Sequence, residues 1–127
     1  MNAPRGRILV VDDEPDIVRV VARIMESCDY QVVTAADGLE ALGAAQTEKP
    51  DVIILDLNLP GMDGFEVCHR LRATEATRAI PIVMLTASYV SVEDAAKGIG
   101  TGADEYVVKP FLREVLIHNV QRLLNRG

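Results

Sequence analysis

The chain has 127 residues, is 49% hydrophobic and carries a formal net charge of −6. That length suits one compact domain able to bury a core, and the acidic balance argues against direct, phosphate-backbone binding of nucleic acid. The apolar runs are short and Met1-Asn2-Ala3-Pro4-Arg5-Gly6-Arg7 has no hydrophobic stretch behind its charges, so neither a membrane span nor a signal peptide is expected and the expected location is cytoplasmic.

Ile8-Leu9-Val10-Val11 reads as a strand buried on both faces, ending in Asp12-Asp13-Glu14, with residues 1–6 as a flexible tail before it. Pro15 then opens a helix over about 15 to 27, in which Ile17, Val20, Val21, Ile24 and Cys28 form one apolar stripe. Gln31 to Ala35 is a short strand, and Asp37-Gly38-Leu39-Glu40 opens a second helix ending near Glu48, ahead of Pro50. Val52 to Leu55 is the third strand. Asp56 stands at its carboxyl end, Pro60-Gly61 forces a turn, and Asp63 with Glu66 caps a third helix marked by Phe65, Cys68 and Leu71. The polar run Arg72 to Arg78 is expected as its exit loop.

Ile80 to Thr86 is the fourth strand, with Pro81 at its entrance. A fourth helix, capped by Ser91 and Asp94, contains Gly98 and Gly100 and should be the weakest in the chain. Glu105 to Val108 is the fifth strand, Lys109-Pro110 a sharp turn, and Leu112 to Arg126 the last helix. The two cysteines, Cys28 and Cys68, lack metal-site spacing and read as reduced thiols facing the core. His69 and His118 fall on helices, and the arginines of the helices read as solvated.

Strands alternating with helices call for a parallel sheet covered on both faces within a single domain. Ligands of such sheets bind beyond the carboxyl ends of the strands, which here carry Asp12, Asp13, Asp56, Thr86 and Lys109. Three carboxylates at one edge repel one another unless a cation sits among them. All-oxygen ligands suit Mg²⁺, which commonly shares its shell with phosphate oxygens. Asp56 is then the candidate nucleophile for an acyl phosphate, with Lys109 and Thr86 as donors to phosphate oxygens.

With these residues in view, the chain from Arg7 to Leu124 resembles the receiver domain of bacterial two-component response regulators. Asp12 and Asp13 match the family's acidic pair, and Asp56 in Leu-Asp-Leu-Asn-Leu-Pro-Gly-Met-Asp-Gly its phosphoacceptor. Thr86 in Leu-Thr-Ala matches its hydroxyl residue, and Lys109-Pro110-Phe111 its lysine turn. The resemblance implies a flavodoxin-like (βα)5 three-layer sandwich of the α/β class, with strand order 2-1-3-4-5. It implies that Asp12 (through water in many members), Asp13, Asp56 and the backbone carbonyl of Asn58 bind Mg²⁺, for which Mn²⁺ can substitute. It further implies a cis Lys109–Pro110 bond, and a switch made by Thr86 and Tyr106 that alters the surface of the fourth helix, fifth strand and fifth helix. The implied partners are a sensor histidine kinase or histidine phosphotransfer protein, an output domain or protein, and a second copy in a phosphorylation-dependent homodimer. Such a domain catalyses only its own phosphorylation and dephosphorylation.

Taken singly, Asp12 and Asp13 also fit the N-terminus of a helix, Thr86 an ordinary strand residue, Lys109 a solvated turn and Tyr106 a half-buried strand aromatic. Five such residues at one sheet edge favour a joint explanation. A flavin-binding relative would need a phosphate-cradling loop where Asp12-Asp13-Glu14-Pro15 stands. A haloacid-dehalogenase-type phosphatase would need an acid at Asn58. A receiver-like interaction module that is not phosphorylated remains the alternative.

Overall fold

The computed structural model describes residues 5–87 and 102–125. Five strands, β1 (Gly6–Val11), β2 (Tyr30–Ala35), β3 (Val52–Asp56), β4 (Ile82–Thr86) and β5 (Glu105–Val108), form one sheet in the order β2-β1-β3-β4-β5. Every neighbouring pair is parallel. The described helices are α1 (Pro15–Ser27), α2 (Gly38–Glu48), α3 (Gly64–Ala73) and α4 (Arg113–Leu124). The helix expected at 91–101 lies outside the described residues.

Period-two alternation along the strands sorts the core into two layers. Leu9, Val11, Ile53, Leu55, Ile82 and Met84 pack with Ala41 and Ala45 of α2 and with Phe65, Val67, Cys68 and Leu71 of α3. Their neighbours Ile8, Val10, Val52, Ile54, Val83 and Leu85 face the other way, onto Val21 and Met25 of α1 and Leu116, Val120 and Leu123 of α4. Both faces of the central strands are therefore dry. This explains why β3 and β4 read as unbroken apolar runs rather than alternating ones. The result is the expected three-layer α/β sandwich with strand order 2-1-3-4-5.

Several boundaries differ from the sequence reading. β1 begins at Gly6, and the Arg5 N–H donates to Asp29 O at 2.7 Å, so the last two residues of the expected tail are tied to the amino end of β1. β4 begins at Ile82 rather than Ile80, because Pro81 has no N–H for the ladder and offers only its carbonyl, which accepts from Ile53 N at 3.0 Å. α3 continues to Ala73, through the start of the expected exit loop. α4 begins at Arg113, with Leu112 at its N-cap.

Candidate functional site

β1 and β3 are neighbours in the centre of the sheet, so the acids that end them are brought side by side. Asp12 extends β1 by one bond, its N–H donating to Ala35 O at 3.2 Å. Its Oδ1 accepts from Glu14 N at 3.0 Å, which turns the chain into α1, where Pro15 occupies a first-turn position that needs no donor. Asp56, the last residue of β3, lies opposite Leu85 and is 2% exposed; its Oδ1 accepts from Asn58 N at 3.3 Å. Asp13 is exposed beside them. Ligand oxygens of Asp12, Asp13 and Asp56 all lie within 4.8 Å of one another.

Lys109 follows β5 and its Nζ reaches back to 3.3 Å from Asp56 Oδ1 and 3.7 Å from Asp12 Oδ2. The Lys109 N–H donates to Thr86 O at 2.7 Å, tying the lysine to the end of β4, where Thr86 is fully buried one residue past the partner of Asp56. The Lys109–Pro110 bond is cis. Asn58 is exposed just beyond Asp56, and Tyr106 of β5 is half-buried against the core layer of α2 and α3.

Burial pushes the Asp12 carboxyl above its ordinary range, and the Glu14 N–H opposes this; the charges of Asp56 and Asp13 add to the rise and that of Lys109 reduces it. Asp12 Oδ2 is buried and accepts no hydrogen bond from the described residues. A buried carboxylate oxygen left so is costly, and a hard divalent cation held by carboxylate oxygens relieves both that cost and the mutual repulsion. The donor set thus fits Mg²⁺. A cavity of about 380 Å³, lined by Asp12, Asp13, Val18, Arg19 and Glu40 among others, opens beside the cluster between α1 and α2.

The remaining reactive side chains stand apart from this chemistry. Cys68 is fully buried, and burial pushes its thiol up to about 11, so at neutral pH it is no nucleophile. Both cysteines are free. His69 and His118 are exposed on α3 and α4. No described helix is long and apolar enough to cross a membrane.

Residues 8–121 match the family model of the response regulator receiver domain. The chain belongs to that family. The receiver's relatives include the DNA-binding dual master transcriptional regulator RpaA of Synechocystis, 44% identical over 94% of this chain and 49% of that one. Among solved structures, the Vibrio cholerae chemotaxis protein CheY4 superposes with a TM-score of 0.84 at 39% identity, covering 93% of this chain and 98% of that one. The receiver domain of the sensor histidine kinase PA1611 of Pseudomonas aeruginosa, solved with a magnesium ion coordinated in its active site cleft, superposes with a TM-score of 0.85 at 32% identity, covering 94% and 97%. The chain spans about half the length of the curated relatives it matches.

Reading the sequence brought all five charged or hydroxylic positions to the right strand ends, but it missed two residues that organise their surroundings. Arg72, expected only as the start of the exit loop, donates through its guanidinium to the carbonyls of Arg78, Ile80 and Gly102 and to Asp104 Oδ2 at 2.7–2.9 Å. Gly64, to which the sequence reading gives no role, is the first residue of α3. A Cβ there would lie 2.7 Å from the carbonyl oxygen of Asp56.

Proposed function

We propose that this receiver domain is a phosphorylation-controlled signalling switch whose phosphoacceptor is Asp56. The supporting observation is the meeting of the buried carboxylates of Asp12 and Asp56 with the single ammonium of Lys109 at adjacent strand ends. An Asp56 carboxylate oxygen attacks the phosphorus of a phosphohistidine on a sensor histidine kinase or histidine phosphotransfer protein. The P–N bond breaks and its electron pair stays on the donor's imidazole nitrogen. Lys109 acts as a point charge for one phosphoryl oxygen and the Thr86 hydroxyl donates to another.

Asp12, Asp13, Asp56 and the Asn58 carbonyl would hold Mg²⁺, or Mn²⁺ in its place. When bound, the ion neutralises charge between the carboxylate and phosphoryl oxygens. The chain turns over no external product: it gains a phosphoryl group and later loses it to water. Since the Lys109 N–H is bonded to Thr86 O, a shift of Thr86 toward the phosphoryl group is transmitted to the turn after β5. Tyr106, on the strand between them, follows as the switch aromatic. The output face is then the surface of β5 and α4, read by an output domain, another protein or a second copy as a population shift.

The test is labelling with acetyl phosphate. A phosphoryl adduct is expected on Asp56 only when Mg²⁺ is present, and it should be absent from Asp56→Asn. Removing the positive charge in Lys109→Ala should slow labelling by roughly a hundredfold or more, the usual cost of one oxyanion donor. An acid-labile adduct on any other residue overturns the assignment.

A further inference from the structure

Two helices of this chain begin with the same four-residue pattern: Asp37-Gly38-Leu39-Glu40 at α2 and Asp63-Gly64-Phe65-Glu66 at α3. In each the aspartate caps the helix, Oδ1 accepting at 2.9 Å from the N–H of the glutamate three residues on. Glycine is not needed for that. Neither glycine has a positive φ, and a first helical position accepts most residues.

What separates the two is what a Cβ would meet. At Gly38 it would meet Val67 Cγ2 at 2.9 Å and Met62 Sδ at 3.1 Å, which can turn aside, and Met62 Cβ at 3.1 Å, which needs a shift of only a few tenths of an ångström. At Gly64 it would lie 2.7 Å from Asp56 O and 2.7 Å from Leu57 Cα, with Met84 Sδ at 3.0 Å. Two of those three atoms are backbone of the strand end that carries the phosphoacceptor, and no rotamer moves them. The strand end is fixed in turn: Leu57 N–H donates to Leu85 O at 2.8 Å, and Gly64 N–H donates to Leu57 O at 2.8 Å. On the other side α3 is held by Phe65, Val67, Cys68 and Leu71 in the core. A Cβ at Gly64 therefore leaves two ways out: α3 leaves its packing, or the Asp56–Leu57 peptide shifts.

We propose that Gly64 is a positioning residue for the phosphoacceptor site. Its missing Cβ sets how closely the first turn of α3 presses on the Asp56–Leu57 peptide, and so fixes the spacing of the Asp56 carboxylate from Asp12 and Asp13 and the course of the chain into Asn58. This rests on the reading of Asp56 as phosphoacceptor, and it gives the repeated pattern two meanings: crowding between helices at Gly38, site geometry at Gly64.

The experiment compares wild type, Gly38→Ala and Gly64→Ala as full chains, with folding checked by circular dichroism well below the melting temperature. Mg²⁺ affinity is measured by calorimetry and Asp56 labelling by acetyl phosphate at saturating Mg²⁺. Gly64→Ala is expected to weaken Mg²⁺ binding by about tenfold or more, as loss of a ligand-orienting partner does, and to slow labelling by roughly ten- to a hundredfold, as a small misplacement does. Gly38→Ala should lower the melting temperature while leaving both values within about twofold, as expected for a change remote from the ligands. If Gly64→Ala does not fold in buffer, the same measurements are made in trimethylamine N-oxide, which favours the compact state. Wild-type affinity and labelling in a folded Gly64→Ala overturn the proposal, as does a variant that stays unfolded with the osmolyte, since the glycine then serves the fold alone. A wild type that neither binds Mg²⁺ nor labels at Asp56 overturns the functional reading instead.

Discussion

Asp12 and Asp13 are adjacent in sequence but stand in different solvents: Asp12 is 1% exposed, and Asp13 faces water. Without a cation, the repulsion and desolvation fall on Asp12. Asp12→Asn keeps the acceptor for Glu14 N–H and places an amide where Oδ2 now accepts nothing, so in chelator this variant should melt above wild type, with Asp13→Asn changing the melting point less. The pH dependence has a definite sign. A carboxyl raised by burial binds its proton more tightly in the folded chain, so its contribution to stability is present at low pH and lost as pH climbs from 3.8 through the raised value. The difference in stability between wild type and Asp12→Asn should open over that window in chelator. Mg²⁺ at 100 times its dissociation constant should then add about 2.7 kcal/mol to wild type and much less to the variant. Equal Mg²⁺ stabilisation of both would remove Asp12 from the ligand set.

Among the elements, α3 does more than cover the sheet. Its last turn carries Arg72, whose four hydrogen bonds tie the α3–β4 connection to Gly102 and Asp104 at the approach to β5, while Asp104 Oδ2 also accepts from Ile82 N at 2.8 Å. Arg72→Ala removes a charge-assisted bond to a carboxylate and the donors to three carbonyls, and should cost about 2–4 kcal/mol in urea unfolding. A loss under about 1 kcal/mol would mean that water replaces those bonds. The strands were legible because burial on both faces writes itself as a run of apolar residues, and the site because each run ends in a residue that does not belong in a core. Arg72 was not legible: its partners lie up to 32 residues away, and a polar run looks the same whether solvated or bonded across the sheet. Gly64 was hidden for a related reason, since a pattern that caps α2 and α3 alike says nothing about the backbone that only one of them touches.

For the molecule as a whole, charge is the property that sequence and structure weigh alike. Relatives such as RpaA are DNA-binding regulators about twice as long as this chain, so the matched half either shares in DNA contact or leaves it to the other half. DNA binding is dominated by neutralisation of phosphates and release of their counterions, with non-specific dissociation constants of about 10⁻⁴ to 10⁻⁶ M at physiological salt for proteins that bring cationic surface. This chain carries a net charge of −6. Of its arginines, Arg7, Arg19, Arg70, Arg72 and Arg122 are already paired with carboxylates. The carboxyl ends of the strands add a concentrated negative field from Asp12, Asp13 and Asp56. The chain alone should therefore show no binding to duplex DNA at concentrations up to about 0.1 mM in physiological salt, and no growth of affinity as salt is lowered of the kind that several phosphate contacts produce. Anisotropy titration of a labelled duplex across a salt series measures both. Micromolar affinity with a steep salt slope would place DNA contact on this domain, and saturating Mg²⁺, which relieves the acidic edge without making a basic one, should not create it.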